Sequence, residues 1–156
     1  MADILDLNTI PAKGNENITL TGGCFDILHP GHLKFLQKAK ELGGKVYVLL
    51  ESDESIKQIK GDNRPVNNQS ARALALSKLE FVDFVICIPQ FKNDSDYFSL
   101  VKRLKPDIIA VTRGDPLIKK KSEQAKVVGG KVVEVTNRIK KYSTTKILKN
   151  ERNRKQ

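Results

Sequence analysis

Five short runs of apolar and β-branched residues alternate with stretches of helical period along nearly the whole chain. The runs predict strands at 18–22, 45–51, 83–88, 107–112 and 131–136. The stretches between them predict helices at about 31–42, 69–79, 95–104 and 119–128, with a last helix from Ser143 onward. Strands that are apolar nearly throughout and separated by helices are typical of a parallel sheet that is covered on both faces.

The pattern therefore predicts an α/β fold, a Rossmann-like parallel sheet of about five strands with helices on both faces. We expect a single domain over residues 1–156, with an N-terminal lead at 1–16 and a frayed basic tail at 150–156. No apolar run approaches the roughly 20 residues of a membrane span. The N-terminus also lacks the pattern of a secretory signal, so we expect a cytoplasmic protein with no membrane partner.

The chain is strongly basic, with 28 Lys and Arg against 18 Asp and Glu, a net charge of +10 at pH 7. Such an excess favours anionic partners, either small phosphorylated molecules or nucleic acid. Aromatic residues make up only 6%, tryptophan is absent and no base-stacking motif occurs, so a nucleic-acid-binding module is the less favoured alternative. We interpret the lysine run at 119–121 as a solvated face, and Cys24 and Cys87 as reduced, buried thiols.

Both histidines of the chain, His29 and His32, fall in the tetrapeptide HPGH, directly after the first long predicted strand. An imidazole donates directed hydrogen bonds to phosphate oxygens and can exchange a proton near neutral pH. Gly31 between them lets the backbone approach a ligand closely. The alternative is that His29 caps the turn and His32 packs as a half-buried helix residue. Because strand, Gly-Gly, turn and helix form a phosphate-binding geometry in α/β folds, we favour a phosphate site.

The carboxyl ends of parallel strands meet at one edge of a sheet, so cationic and hydrogen-bonding residues that follow different strands gather there. A helix start rich in hydroxyl groups offers free backbone N–H groups to an anion, although the same residues can be a simple N-cap. The set that we expect at this edge suits a triphosphate and comprises His29, His32, Lys60, Arg64, Arg113 and the segment Ser143, Thr144 and Thr145.

The segments GGCFDILHPGHLKFLQKAKELG, ESDESIKQIKGDNRPVNNQSAR and YSTTKI, in this order, resemble the cytidylyltransferase-like nucleotidyltransferases with an HxGH signature. The resemblance spans about residues 17–150. It implies that His29, His32 and Lys60 are catalytic, and that Asp26 orients the turn and, with Arg64, lies near the substrate. It also implies a set of nucleotide- or phosphate-binding residues: Gly23, Cys24, Phe25, Gly31, Arg72, Ser143, Thr144 and Thr145. Arg113 and Asp115 join this set because they follow the fourth predicted strand.

The activity that the resemblance implies is transfer of AMP from ATP to a phosphorylated small molecule, such as heptose 1-phosphate, with release of pyrophosphate. Mg²⁺ would arrive with the nucleotide rather than in a cage of protein side chains, and relatives are often homodimers. The heptose-specific members tend to read KGGD where residues 112–116 read TRGDP. Transfer of CMP from CTP to glycerol 3-phosphate, adenylylation of FMN, and nucleotide sensing without turnover therefore stay open as alternatives.

Overall fold

The computed structural model describes residues 1–137, which form six strands and five helices. The strands are β1 (Asp3–Leu5), β2 (Ile18–Gly23), β3 (Lys45–Leu50), β4 (Phe84–Cys87), β5 (Ile108–Arg113) and β6 (Lys131–Asn137). The helices are α1 (Pro30–Glu41), α2 (Asp53–Lys60), α3 (Gln69–Ser77), α4 (Asp94–Leu104) and α5 (Ile118–Val127).

All neighbouring strands are parallel, and their order across the sheet is β1-β4-β3-β2-β5-β6. From β2 the chain first builds outward through β3 and β4, then returns to the other side of β2 to form β5 and β6. The strand order therefore reverses between β2 and β5. In open α/β sheets, ligands bind in the crevice beyond the carboxyl ends of the strands at such a reversal.

Apolar residues cover both faces of the sheet, as strands buried on both sides require. On one face Leu20, Tyr47 and Leu49 pack with α4 and α5, which contribute Leu100, Leu104 and Ala125 among others. On the opposite face Val46, Val48 and Leu50 pack with α1 and α3, which contribute Leu36, Ala39 and Leu76 among others. The predicted α/β class with helices on both faces is confirmed.

Two elements lie outside the pattern predicted from the sequence. Strand β1 lies within residues 1–16 and pairs with β4 at the sheet edge, from Asp3 opposite Phe84 to Leu5 opposite Ile86. It has only three residues, too few to show an alternation. Helix α2 has only eight residues, most of them polar, and buries Ser55 and Ile56, so it offers few apolar positions from which a pattern could predict it. The predicted helix from Ser143 and the predicted frayed tail lie outside the described residues.

Between residues 1 and 137, none of the helices has both the length and the apolar character needed to cross a membrane.

Candidate active site at the carboxyl edge of the sheet

A cleft opens where the two central strands separate. Strands β2 and β5 are paired only from Thr19 opposite Ile108 to Leu20 opposite Ile109, whereas β2 stays paired with β3 as far as Gly23. Beyond Leu20 the space between β2 and β5 becomes a cavity of about 520 Å³. The predicted site residues that line it are Gly23, Cys24, Phe25, Asp26, His29, Gly31, His32, Lys60, Arg113 and Asp115.

The turn after β2 is shaped by close packing of its own residues. Phe25 has a φ of 46°, in the left-handed region, and is buried against the strand end. A Cβ added at Gly23 would lie 2.9 Å from Cε2 of the Phe25 ring, so a side chain at Gly23 would force the ring away. The Phe25 ring in turn contacts that of His32, with the centroids 5.0 Å apart. The glycine is therefore needed to bring the HPGH segment against the strand end.

His29 both caps helix α1 and lines the cavity. Its Nδ1 accepts hydrogen bonds from the backbone N–H of Gly31 at 3.1 Å and of His32 at 3.4 Å. A neutral imidazole that accepts through Nδ1 carries its proton on Nε2. The ring of His29 stacks on that of His32, with the centroids 3.7 Å apart. The capping and phosphate-binding interpretations of His29 are therefore compatible.

Burial lowers the pKa of both histidines. For His29 desolvation is the cause. The pKa of His32 is lowered to about 4, first by desolvation and then by the positive charges of His29 and Lys60, against an opposing backbone hydrogen bond with Ile27. In the absence of an anion both imidazoles are therefore neutral at pH 7. A neutral imidazole can still donate one N–H to a phosphate oxygen, and a bound phosphate raises its tendency to take up a proton.

Lys60 is the last residue of α2 and lines the same cavity from an exposed position. The helix begins at the N-cap Ser52, whose side chain accepts from the Ser55 N–H, directly after β3. It ends at Gly61, where a φ of 107° favours glycine and turns the chain. A short helix that starts at the sheet edge thus carries an ammonium group to the cavity.

The opposite wall of the cavity follows β5 and also carries charge. Arg113 is largely exposed, with its Nε 3.9 Å from a Glu134 carboxylate oxygen. Lys121 of α5 lines the cavity and donates to Asp115 at 2.6 Å. The interpretation of Lys121 as part of a solvated face is therefore wrong, because this lysine contributes to the cavity wall. The place of the lysine run in the first turn of a helix after the carboxyl end of a strand indicates a position near the cavity, but it does not distinguish Lys121 from Lys119 and Lys120.

Asp26 fastens the loop that follows α2 to the turn that follows β2. Its carboxylate accepts from Arg64 Nε at 3.1 Å, from the Val66 N–H at 2.7 Å and from the Asn67 N–H at 2.8 Å. Although burial opposes the ionised form, these hydrogen bonds hold the pKa of Asp26 below its usual value. Arg64 is itself buried and is not among the cavity residues in the described chain. The pair braces the loop in this structure, and the roles predicted for Asp26 and Arg64 near the substrate stay predictions.

Arg72 has a different environment from the one implied by the resemblance. Its guanidinium donates to the carbonyl oxygens of Cys24, Glu51 and Asn67 and to the Asp53 carboxylate, at 2.7 to 2.9 Å. The side chain is fully buried and lies away from the cavity wall formed by the described residues. In this structure Arg72 joins the ends of β2 and β3 to helix α2 and the loop that follows it, a bracing position, and its assignment as a phosphate ligand stays a prediction.

Comparison with known proteins places this geometry in a family. The family model described as cytidylyltransferase-like matches residues 20–150, most of the chain. This chain belongs to the cytidylyltransferase-like family. The match confirms the resemblance inferred from the HPGH segment and its companions.

Curated members of the family that are similar to this chain carry the name bifunctional protein HldE. The protein from Campylobacter concisus is 40% identical over 141 residues, 88% of this chain and 27% of that protein. The one from Campylobacter fetus subsp. fetus is 52% identical over 97 residues, 62% of this chain and 20% of that protein. This chain therefore spans less than a third of the length of these curated relatives.

Solved structures give the same fold. A lipopolysaccharide core biosynthesis protein from Thermoplasma volcanium has a TM-score of 0.63 and 25% identity, covering 80% of this chain and 98% of that one. A pantoate-beta-alanine ligase from Francisella tularensis has a TM-score of 0.62 at 15% identity, covering 97% of this chain and 77% of that one, a likeness of fold alone.

The charged side chains of the described cavity do not form a preformed metal-binding site. Among residues 1–137 no group of three or more His, Cys, Asp and Glu side chains could hold one. The two carboxylates of the cavity already accept hydrogen bonds from the protein, Asp26 from Arg64 and two N–H groups and Asp115 from Lys121.

Cys24 and Cys87 are free thiols at partly buried positions, and burial raises the pKa of both.

The predicted phosphate-binding segment Ser143, Thr144 and Thr145 lies outside the described residues, so its assignment stays a prediction.

Proposed function

We propose that this chain is an adenylyltransferase that transfers AMP from ATP to heptose 1-phosphate and releases pyrophosphate. The observation that carries the proposal is the cavity at the β2–β5 reversal, where two neutral imidazoles meet the cationic side chains of Lys60, Arg113 and Lys121. A concave site with several cations and directed N–H donors suits the charge of a triphosphate.

Family membership supports the reaction class, and the resemblance of the HPGH segment and its companions to the heptose-specific members supports the acceptor. The curated relatives are named bifunctional protein HldE, and the match to the Campylobacter concisus protein covers most of this chain. Because this chain spans less than a third of those proteins, the proposal extends to the adenylyl transfer step alone.

The proposed reaction is an in-line displacement at the α-phosphorus of ATP. An oxygen of the acceptor's phosphate attacks, a new P–O bond forms, and the bond from the α-phosphorus to the oxygen bridging the β-phosphate breaks. The electron pair of that bond leaves with pyrophosphate. Such a transfer needs little covalent chemistry from the protein, so positioning and electrostatic stabilisation account for most of the rate enhancement.

The imidazoles act as fixed donors in this proposal. His29 is locked by the hydrogen bonds to its Nδ1, which leave the proton on Nε2. His32 is held between the rings of Phe25 and His29. Donors that are held in place lose little rotational freedom when negative charge develops on the phosphates, so they stabilise the transition state efficiently.

Lys60 and Lys121 supply charge from opposite walls of the cavity. Lys60 is exposed at the end of α2, so it can move toward the phosphates when they bind. Mg²⁺, when bound with the nucleotide, would neutralise phosphate charge. Since Asp26 and Asp115 are engaged with protein donors, the nucleotide's own phosphates are its main ligands in this proposal.

The test is an assay of pyrophosphate release over a matrix of two nucleotides, ATP and CTP, and several acceptors. The acceptors are heptose 1-phosphate, mannose 1-phosphate, glycerol 3-phosphate and FMN. We expect the highest kcat/KM for ATP with heptose 1-phosphate. Preference for CTP with glycerol 3-phosphate, or for FMN, would replace the proposed substrates while keeping the reaction class. Tight nucleotide binding without turnover of any pair would instead indicate a sensor.

A cytoplasmic location and a homodimeric state are further parts of the proposal. Cell fractionation tests the first, and light scattering on the purified chain tests the second.

A further inference from the structure

A second polar cluster lies beside the cavity, at the end of the strand next to β2. Glu51 directly follows β3, and its backbone N–H donates to the Gly23 carbonyl at 3.1 Å. Side chains alternate between faces along a strand, and Leu49 belongs to the core on the α4 and α5 face. The Glu51 side chain therefore faces α4 and α5, where Tyr97 of α4 contacts it.

The Glu51 carboxylate has unused capacity to accept hydrogen bonds. The Tyr97 hydroxyl donates to it, 2.7 Å from one oxygen and 3.0 Å from the other. Among residues 1–137 no other donor forms a hydrogen bond with this carboxylate, and no cation lies within ion-pair distance of it. A carboxylate offers about four lone-pair directions, so a single hydroxyl leaves most of them for a ligand.

Burial, nearby charges and ring packing define the environment of the Glu51 carboxylate. The pKa of Glu51 is raised above its ordinary value, because partial burial outweighs the Tyr97 hydrogen bond and the nearby charges of Arg72 and Lys121, which lower it. Tyr97 is itself fixed by an edge-to-face contact with Phe91, with the ring centroids 4.6 Å apart. The carboxylate is thus held in place by a side chain whose ring is anchored in the core on the α4 and α5 face.

Glu51 and Tyr97 lie on the β3 side of the cavity, opposite the β5 wall. Cys24 lines the cavity at the end of β2, and Glu51 lies beyond it on the side away from β5. The β5 and β6 walls, with Val111, Thr112 and Thr136, are the surfaces left for the nucleoside. In an in-line displacement the attacking and leaving groups lie on opposite sides of the phosphorus, so an acceptor can approach from the β3 side.

We propose that the Glu51 carboxylate, positioned by Tyr97, binds hydroxyl groups of the phosphorylated acceptor and selects acceptors that carry a polyol. This inference rests on the proposed function and names the residues that recognise its acceptor. A carboxylate pairs well with vicinal hydroxyls, because each O–H donates to a charged oxygen. It also disfavours acceptors that place a second anion at this point.

The experiment compares Glu51→Gln with a matched control, Glu54→Gln, which makes the same chemical change at an exposed position three residues away. Steady-state rates are measured with ATP and the acceptor varied in turn, using heptose 1-phosphate. We expect Glu51→Gln to raise the KM for the acceptor roughly tenfold to a hundredfold, the range for a hydrogen bond to a charged group. The KM for ATP should stay within about twofold, and Glu54→Gln should change neither constant.

Tyr97→Phe tests the positioning role. It removes the one hydroxyl that orients Glu51 and keeps the ring that packs against Phe91, so we expect a smaller rise in the acceptor KM and no change in the ATP KM. If thermal unfolding shows that Glu51→Gln does not fold, Tyr97→Phe serves as the test: the inference requires a higher KM for the acceptor and an unchanged KM for ATP.

Sugar 1-phosphates that each lack one hydroxyl supply a second readout. Wild-type protein should discriminate against at least one of them, and Glu51→Gln should lose that discrimination.

The outcomes separate this inference from the proposed function. If wild-type protein adenylylates heptose 1-phosphate and Glu51→Gln leaves both KM values unchanged, the inference fails while the proposed function stands. An equal rise of both KM values also overturns it, because a merely structural role would act on both substrates. If wild-type protein turns over no acceptor, the proposed function fails and the inference fails with it.

Discussion

Two polar clusters share the carboxyl edge of this sheet and differ in where their hydrogen bonds go. In the first, Asp26 and Arg72 direct their polar atoms almost wholly at protein partners. In the second, His29, His32 and Lys60 line a cavity. Both clusters contain residue types that bind phosphates elsewhere. The difference teaches that residue type alone does not decide whether a polar side chain braces the fold or lines the cavity.

The largest expected effect tests the bracing role of Arg72. Arg72→Met would leave the carbonyls of Cys24, Glu51 and Asn67 and the Asp53 carboxylate without their donor. We expect the free energy of unfolding to fall by about 3 to 5 kcal/mol, the cost of breaking a buried ionic network. Urea denaturation measures it.

Arg113→Met is the matched control for stability, because Arg113 is largely exposed and its nearest charged partner is 3.9 Å away. It should change the free energy of unfolding by less than about 0.5 kcal/mol. A stable Arg72→Met protein that had lost ATP binding would return Arg72 to the phosphate site.

The next largest effect tests the open cluster. His32→Ala removes a cavity donor, and we expect kcat to fall about a hundredfold to a thousandfold, as for loss of one fixed donor to the transition state. The variant should stay folded, since its ring packs at the cavity rather than in the apolar core. Lys38→Ala, on the exposed face of the same helix, is the control and should keep wild-type turnover. Turnover near the wild-type rate in His32→Ala would remove the imidazole from the mechanism.

The sequence predicted the layered fold and the histidine cluster for the same reason: both follow from local patterns. Apolar runs indicate strands that are buried on both faces, and HPGH places two imidazoles within one helical turn of each other at the start of the helix that follows a strand. The three-residue strand β1 is defined by its partner β4 alone, so no local pattern could reveal it.

The role of Arg72 could not be read from its position either. Three of its partners are backbone carbonyls, which exist at every residue and leave no signature in a sequence. Only the register of β2 against β3 brings the carbonyls of Cys24 and Glu51 to one guanidinium. Likewise Lys121 belongs to a run of three lysines, and only the direction of helix α5 separates it from its exposed neighbours.

A smaller effect on the free energy of unfolding is expected from Asp26, the other bracing residue of the first cluster. Asp26→Asn keeps the shape of the side chain but removes the charge and puts an NH₂ group where an oxygen accepts hydrogen bonds. We expect the free energy of unfolding to fall by about 1 to 3 kcal/mol. The KM for ATP should rise as well, because the loop after Lys60 loses its anchor. An unchanged stability, measured by thermal unfolding, would show that the loop is held by other contacts.

The last prediction concerns the pH dependence of stability. Since the pKa of His32 is about 4 in the folded protein and its ordinary value is 6.5, the unfolded chain binds more protons between these values. Stability should therefore fall as the pH is lowered from 6.5 toward 4, and His32→Gln should show a shallower fall. Urea denaturation of both proteins at several pH values tests this. Parallel curves would mean that the imidazole titrates normally in the folded protein.

The most direct test of the account uses the fact that the chain has only two histidines. NMR spectra of protein labelled with ¹⁵N in histidine should contain two imidazole spin systems, which can be followed during titration with ATP and, as a control, with adenosine. We predict that ATP shifts both imidazoles and raises the pKa of His32 above about 4, while adenosine leaves that pKa unchanged. Saturable ATP binding, measured by calorimetry, with both imidazole signals unmoved would contradict the account.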